Sequence, residues 1–161
     1  MLLTGTFKRS VDEKQRIAIP KKIRDKFVTS AKPDLIYIAP GTDGSLAMYT
    51  EEAFSTLAER IAAASPAEQD VRAFSRLLYA RAEAVDVDKQ GRVRIPTELA
   101  RLAELKSEAV LVGVRDHLEL WDSTRWQAYL SAKQSDYDEL AERAFATAPA
   151  RERGSTLSNS D

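Results

Sequence analysis

Two aspartate–arginine pairs with the same spacing are the residues in this chain best suited to recognise a ligand. In each pair the aspartate precedes the arginine by four residues, as Asp12 and Arg16 and again as Asp88 and Arg92. An aspartate in this position is suited to accept hydrogen bonds from the backbone N–H groups of a tight turn. An arginine offers a planar fork of donors that matches phosphate oxygens and guanine edges. The spacing therefore predicts two turns, each presenting an arginine to an anionic partner.

The two pairs lie in an internal repeat. Residues 11–20 read VDEKQRIAIP, and residues 87–96, 76 positions later, read VDKQGRVRIP. Each copy continues with a short helical pattern and two apolar strands, and the last strands match at an offset of 72 because the first copy has a longer loop at residues 40–44. A β-turn-β-α-β-β unit of about 45–50 residues is too small to bury its own sheet face. The repeat therefore predicts an α+β fold in which two tandem modules cover each other.

The charge around the two pairs is unequal. Residues 1–26 carry eight basic and three acidic side chains, a net charge of +5, whereas the remaining 135 residues carry a net charge of −6. Each pair also suits an internal ion pair that only holds its turn, and for the first pair the surrounding charge favours a binding role instead. The eight basic residues are Lys8, Arg9, Lys14, Arg16, Lys21, Lys22, Arg24 and Lys26, and the matching second-copy positions include Ala84, Val85, Thr97, Glu98 and Ala100.

Alternation along the strand after each turn sorts its side chains onto two faces. One face is apolar in both copies, and the other carries the arginine of the turn. The apolar face is formed by Ile17, Ile19, Val93 and Ile95, and the opposite face by Arg16, Ala18, Arg92 and Arg94.

The helical patterns divide the chain into five segments. The Ser-Pro-Ala-Glu sequence at residues 65–68 predicts a capping box that starts the second of two linking helices. The apolar stripe of that helix consists of Val71, Phe74, Leu77 and Leu78. The five predicted segments are a first module at residues 1–54, linking helices at 55–81, a second module at 82–126, a C-terminal helix at 127–147 and a disordered polar tail at 148–161.

The composition excludes several kinds of chemistry. The chain has no cysteine and a single histidine, His117, so it offers no thiolate nucleophile and no His-rich metal site. His117 is expected at the surface or in a loop. Basic and acidic residues number 24 and 25, and no apolar run approaches the roughly 20 residues of a membrane span. We expect a cytoplasmic protein with no signal peptide, no metal, no cofactor and no enzymatic activity.

The repeat and the residues downstream of it resemble the MraZ family, bacterial transcriptional regulators built from two swapped-hairpin modules of the SpoVT-AbrB type. The resemblance covers roughly residues 1–130. The matching residues are Gly5, Asp12, Arg16, Pro20 and Arg24 in the first copy, Val71, Arg72, Phe74 and Arg76 in the linking helix, and residues 88–92, 95–96 and 111–113 with Glu119, Trp121 and Trp126 in the second copy.

The resemblance implies a pseudo-two-fold split β-barrel with peripheral helices, acting as a nucleoid-associated repressor at the promoter of a cell-division and cell-wall gene cluster. It also implies ring-shaped homo-oligomers whose subunits offer their first turns to short direct repeats in double-stranded DNA. The expected DNA-binding residues are Arg16 and Arg24 at bases and Lys14, Lys21 and Lys22 at phosphates, with Lys8 and Arg9 beside them. The expected turn-structuring residues are Asp12, Asp88, Arg92 and Gly91.

One residue departs from the family pattern. Gln15 stands before Arg16, where the family usually has a glycine and where the second copy has Gly91. Glycine reaches a positive φ without strain and glutamine does not. The sequence leaves open whether Gln15 weakens the first turn or is accommodated by it, and whether the second module contacts DNA.

Two other function classes remain open. An AbrB-like antitoxin or protein-interaction module shares the turn, but it usually has one copy and an unfolded partner-binding tail, whereas this chain has two copies and a short tail. A small enzyme using carboxylates and arginine is the third class, and no residue pattern positively supports it.

Overall fold

The computed structural model describes residues 1–27 and 31–146, and the predicted disordered tail at 148–161 lies outside them. The first copy of the repeat forms β1 (Thr6–Ser10), β2 (Arg16–Ala18), α1 (Lys21–Phe27), β3 (Leu35–Pro40) and β4 (Leu46–Thr50). Helices α2 (Glu51–Ala63) and α3 (Gln69–Arg81) follow. The second copy forms β5 (Glu83–Asp86), β6 (Arg92–Arg94), α4 (Thr97–Leu102), β7 (Glu108–Val114) and β8 (His117–Asp122). The predicted α+β class is confirmed.

The described C-terminal region contains two helices, whereas the sequence predicts a single helix at residues 127–147. Helix α5 (Ser123–Lys133) is separated from α6 (Tyr137–Ala146) by a 3-10 turn at Gln134–Asp136. A first compact unit comprises Met1–Trp126, and a second begins at Gln127, inside α5. Among the helices of residues 1–27 and 31–146, none is long and apolar enough to cross a membrane.

The main sheet interleaves strands from the two copies of the repeat. Its six strands lie in the order β1-β7-β8-β4-β3-β5, with every neighbouring pair antiparallel. The order is symmetric: β1 of the first copy pairs with β7 of the second, β5 of the second copy pairs with β3 of the first, and β4 and β8 meet in the centre. Each copy therefore completes the sheet of the other, which explains why two small modules fold together.

A second, two-stranded sheet joins the copies again and is called the ribbon below. Strands β2 and β6 pair antiparallel, with Ile17 opposite Val93 at the centre. These two side chains are 0% and 1% exposed and occupy equivalent positions of the repeat. Strands β1 and β5 stand at the edges of the main sheet, so the pairings of the described strands do not close a barrel. The split barrel and the swapped hairpins stay predictions.

The core is built from equivalent residues of both copies. Ile19 and Ile95 follow the ribbon strands, and Ile23 and Leu99 lie on α1 and α4; all four are at most 2% exposed. Burying each such side chain contributes about 1.5–3 kcal/mol relative to leaving it in water. Because both ribbon strands send their apolar faces into this shared core, their opposite faces turn outward.

The predicted capping box is wrong. Helix α3 begins at Gln69, and its N-cap residue, Glu68, makes no side-chain cap hydrogen bond. Instead, the Glu68 N–H donates to the Ser65 carbonyl at 3.2 Å. Arg72 Nη1 donates to the carbonyls of Pro66 and Ala67 at 3.0 and 2.8 Å. Pro66 and Ala67 thus form a turn before the helix, and Arg72 binds their carbonyls.

The predicted apolar stripe of α3 is mostly exposed. Leu78 is buried at 4% exposure, whereas Phe74 and Leu77 are 51% and 59% exposed. The stripe therefore leaves a large apolar surface uncovered within the single chain.

Candidate nucleic-acid interface

The first turn is held by the Asp12 carboxylate. Its Oδ1 accepts hydrogen bonds from the backbone N–H groups of Lys14 at 2.9 Å and Arg16 at 2.8 Å, and its Oδ2 accepts one from Arg16 Nε at 2.6 Å. The Asp12 N–H donates to the Arg16 carbonyl at 3.1 Å, and the Gln15 N–H donates to the Asp12 carbonyl at 3.0 Å. The arginine side chain is thus fixed by the same carboxylate that fixes its backbone.

The second turn repeats these contacts. Asp88 Oδ1 accepts from the N–H groups of Gln90 and Arg92, both at 2.9 Å, and Oδ2 accepts from Arg92 Nε at 2.9 Å. The Asp88 N–H donates to the Arg92 carbonyl at 2.8 Å, and the Gly91 N–H donates to the Asp88 carbonyl at 2.9 Å. Both arginines are therefore oriented by an identical turn.

The pKa values of the two aspartates are lowered for the same physical reason. The backbone N–H of Arg16 lowers the pKa of Asp12 below its ordinary value, with the Arg16 side chain and the Lys14 N–H acting in the same direction. Arg92 and Gln90 lower the pKa of Asp88 in the same way. Hydrogen bonds to the ionised carboxylate favour that form, so both turns are held by charged carboxylates at neutral pH.

Gln15 adopts the backbone conformation of a glycine. Its φ is 62°, close to the 76° of Gly91 at the equivalent position. The left-handed region costs roughly 1–2 kcal/mol for a residue with a side chain. The first turn therefore accommodates Gln15 without changing its hydrogen bonds, but with local strain. The Gln15 Oε1 atom is also buried without a hydrogen-bond partner among the described residues.

Arg24 lies at the turn of the other copy. Its Nε donates to the Ile19 carbonyl at 3.1 Å. A Cβ built on Gly91 would stand 2.5 Å from both Cζ and Nε of Arg24. The side chain thus packs on the second turn, although it belongs to the first copy.

The ribbon places three arginines on one outward face. Arg16 lies opposite Arg94, and Ala18 opposite Arg92. Sequence reasoning put these residues on the faces of two separate strands. It did not reveal that the strands pair with each other, because periodicity identifies the face of a strand but not its neighbour. The pseudo-symmetry of the repeat was the available signal for this pairing.

The arginines of the two turns are engaged to different extents. Arg92 Nη2 donates to Gln90 Oε1 at 2.8 Å. The residue equivalent to Gln90 is Lys14, which offers no acceptor. In the side chain of Arg16, Nε donates to Asp12, and the two Nη atoms have no partner within residues 1–27 and 31–146. The first turn thus presents a fixed guanidinium with donors to spare.

The other predicted binding residues fall into two groups. Arg9 is occupied by the Ala18 and Lys8 carbonyls at 3.0 and 2.8 Å, and Lys21 forms an ion pair with Asp25 at 2.8 Å. The remaining group is exposed, and its amino groups have no hydrogen bond or ion pair in the part of the chain that the structure describes. This group consists of Lys8, Lys14 and Lys22.

His117 is not a loop residue. It is the first residue of β8, with its side chain 20% exposed. Its Nδ1 lies 2.8 Å from Asp116 Oδ1, and its ring centroid lies 5.0 Å from that of Tyr49. No group of three metal-ligating side chains lies together in residues 1–27 and 31–146.

The chain is similar to one family of proteins along most of its length. The family model described as "MraZ protein, putative antitoxin-like" matches residues 2–77 and again residues 78–148. A transcriptional regulator MraZ of Mesoplasma florum is 33% identical over 145 residues, which cover 90% of this chain and 97% of the relative. The proteins of the same name from Corynebacterium urealyticum and Lactiplantibacillus plantarum are each 37% identical. These alignments cover 88% and 86% of this chain, and 96% and 94% of those relatives. Transcriptional regulators are not an enzyme class.

Proposed function

Because the chain belongs to the MraZ family of transcriptional regulators, we propose that it represses transcription by binding short direct repeats in promoter DNA through its first turn. One observation carries the proposal: two turns have the same hydrogen bonds, but Arg92 is also bound by Gln90, whereas the Nη atoms of Arg16 have no partner among the described residues and lie in a turn that carries exposed Lys14. The proposed promoter is that of a cell-division and cell-wall gene cluster. The protein would act in the cytoplasm, on the nucleoid.

The geometry of the ribbon fits the major groove. A groove about 12 Å wide admits a two-stranded β-ribbon. Asp12 holds Arg16 Nε at 2.6 Å, which fixes the guanidinium and leaves its Nη fork without a partner among the described residues. Such a fork pairs with O6 and N7 of guanine. Arg16 is therefore our main candidate for base contact, with Asp12 as the residue that orients it. Arg24, which lies beside the second turn, is the second candidate and would reach DNA from the other end of the ribbon.

The surrounding cations supply affinity rather than specificity. Lys14 lies in the first turn, and Lys22 lies at the start of α1, which follows the end of β2 that pairs beside the second turn. Both are exposed, as is Lys8 on β1. Lysine acts as a flexible point charge on phosphate, so these residues strengthen binding to DNA of any sequence. Lys21 and Arg9 contribute less in our proposal because Asp25 and backbone carbonyls already engage them.

Assembly into a ring would multiply a weak single-site affinity. In the exposed part of the α3 stripe, Phe74 borders a hollow of about 460 Å³ between α2 and α3, and Phe74 and Leu77 both border a second hollow of about 300 Å³ next to Leu102. An apolar surface of this kind marks a protein–protein contact. We propose that it joins subunits, each a split barrel with swapped hairpins, so that several first turns meet consecutive repeats.

Fluorescence anisotropy with the full chain tests the proposed function. The probe is a labelled duplex from upstream of the gene that encodes the chain, compared with a scrambled duplex. Arg16→Ala should weaken specific binding by about 10- to 100-fold, the range expected for one bidentate base contact. Arg92→Ala is the matched control from an identical turn and should weaken binding far less. Equal losses in the two variants, or no preference of the wild type for the upstream duplex, would overturn the proposal.

An antitoxin is the second candidate, because the matching family model carries the words antitoxin-like. An antitoxin would protect cells from the toxic product of a gene adjacent to its own. Co-expression with each adjacent gene tests this function by growth. If no combination restores growth, the antitoxin function is ruled out. The anisotropy experiment tests DNA binding separately and is not affected by this outcome.

A further inference from the structure

Two arginines from different copies face each other across the ribbon. Arg16 lies directly opposite Arg94. The Ile95 N–H donates to the Gln15 carbonyl at 2.8 Å and the Ile19 N–H to the Gly91 carbonyl at 2.9 Å. Hydrogen-bonded and non-hydrogen-bonded pairs alternate along an antiparallel ladder, so the arginines form a non-hydrogen-bonded pair. Opposite residues in such a pair have Cα atoms about 4.5 Å apart, and their side chains are closest there.

This juxtaposition is unfavourable in the protein alone. Like charges directly opposite each other destabilise an antiparallel pair. Asp12 neutralises only the Nε side of Arg16. Arg94 is exposed, and within residues 1–27 and 31–146 it has no hydrogen bond or ion pair. An anion bound between the two guanidinium groups would remove the repulsion.

From this arrangement we propose that Arg94, a residue of the second copy, binds a DNA backbone phosphate next to the base that Arg16 reads. The inference rests on the proposed function and adds a residue to its site. Arg16 is held by Asp12 and suits a base edge, whereas Arg94 has no partner to fix its fork and suits a phosphate. The antiparallel pairing brings this arginine to the first turn although it follows the second turn in sequence.

Arg92 lacks the same arrangement. The residue opposite Arg92 is Ala18, and its guanidinium already binds Asp88 and Gln90. The position in the first copy equivalent to Arg94 is Ala18 itself. The outward face of the ribbon is therefore asymmetric, with two incompletely neutralised arginines at the end of the first turn and one satisfied arginine at the other end.

Salt-dependent anisotropy with the full-length protein tests the role of Arg94. Affinities are measured for the upstream and scrambled duplexes from about 50 to 200 mM salt. Arg94→Ala should weaken binding to both duplexes by the same factor, about three- to ten-fold, and should reduce the slope of log K against log salt by about 1. Arg94→Lys should restore the slope, since the charge alone suffices at a phosphate.

Two comparisons separate the possible failures. Arg101 is an exposed arginine on α4 that pairs with Glu98 at 2.7 Å, and Arg101→Ala should leave the slope unchanged. An equal change of slope in Arg101→Ala would mean that net charge alone is responsible and would overturn the inference. An Arg94→Ala variant that keeps wild-type affinity and slope, while Arg16→Ala loses specific binding, would overturn the inference and leave the proposed function standing. If neither Arg94→Ala nor Arg16→Ala loses DNA binding, both the inference and the proposed function are refuted. Arg94→Ala should melt no lower than the wild type, because it removes a like-charge pair.

Discussion

The guanidinium of Arg24, in the first copy, packs directly on Gly91, in the turn of the second copy. A Cβ at position 91 would lie 2.5 Å from Arg24 Cζ, closer than real Cβ contacts allow. The equivalent residues of the repeat are Gln15 in the first turn and Ala100 on α4. A small turn residue is thus combined with a long helix residue at one turn, and a long turn residue with a small helix residue at the other. The two turns keep the same hydrogen bonds although the side chains at these positions differ in size.

Gly91→Ala should destabilise the protein by about 1.5–3.5 kcal/mol. The φ of 76° costs roughly 1–2 kcal/mol for alanine, and the methyl group displaces the flexible Arg24 guanidinium from its hydrogen bond to the Ile19 carbonyl, which costs about 0.5–1.5 kcal/mol. Urea unfolding of the full chain measures the loss. Arg16 lies at the other end of the ribbon, so any loss of DNA affinity should come from the displaced Arg24 and should be smaller than in Arg16→Ala.

A double variant separates the two causes. In an Arg24→Ala background the added methyl group meets no guanidinium, so Gly91→Ala should cost only its backbone part. The coupling between the two substitutions should be about 0.5–3 kcal/mol, as for residues in contact. Additive effects of the two substitutions would mean that Arg24 does not constrain this turn.

Gln15→Gly should stabilise the protein by about 1 kcal/mol. Glycine adopts the φ of 62° without strain, and the change also removes Oε1, a buried acceptor with no partner among the described residues. The matched control is Gln15→Ala, which removes the same amide but keeps a side chain at positive φ. If both variants gain equally in thermal unfolding, backbone strain is not the source of the gain.

The sequence was sufficient to predict the turns, the repeat and the α+β class, because these depend on residue types at short separations. It could not predict that Arg16 faces Arg94, since the pairing joins strands 76 residues apart in the repeat and register depends on the shared core. Nor could it predict that Phe74 and Leu77 stay exposed. A helical stripe of apolar residues indicates a buried face but does not indicate which chain buries it.

The difference between the predicted and the observed start of α3 can be traced to a local contact. The Ser-Pro-Ala-Glu pattern matches a capping box, but Arg72 binds the carbonyls of Pro66 and Ala67 and stabilises a turn there. Position 15 shows the opposite case, in which glutamine is a poor choice for the turn and the turn forms anyway. The carboxylate of Asp12 and the pairing with β6 fix the backbone more strongly than the preference of one residue.

Acid should loosen both turns together. The folded-state pKa values of Asp12 and Asp88 lie below their ordinary value of 3.8, first through the N–H groups of Arg16 and Arg92. A lowered folded pKa contributes stability that is fully present above the unfolded pKa and is lost as the pH falls through the folded pKa. Thermal unfolding followed from about pH 6 down to about pH 2 should therefore show a falling melting temperature below about pH 4.

Asparagine variants assign that acid loss to the turns. Asp12→Asn keeps an Oδ1 acceptor but removes the titrating group, so the melting temperature should be lower at neutral pH and should fall less in acid. Asp88→Asn should act alike, because its contacts are the same, and the double variant should show about twice the reduction in acid sensitivity. An unchanged acid profile in the double variant would contradict the assignment.

Charge on the α3 stripe should separate subunits without unfolding them. Leu77 is 59% exposed, so Leu77→Asp loses little intramolecular burial. It places an unpaired carboxylate in the proposed contact between copies, where desolvation is costly. Sedimentation should show an oligomer for the wild type and a mass near the 17.9 kDa of one chain for the variant.

DNA with one repeat and DNA with several repeats distinguish assembly from base reading in that variant. Leu77→Asp should bind a single repeat as the wild type does, because the ribbon is untouched. It should bind several repeats about 10²-fold more weakly or worse, since linked sites multiply affinity. The matched control is Ser55→Asp, at an exposed polar position on α2, which should assemble and bind as the wild type does. A monomeric wild type, or a Leu77→Asp protein that still assembles, would show that α3 does not join the subunits.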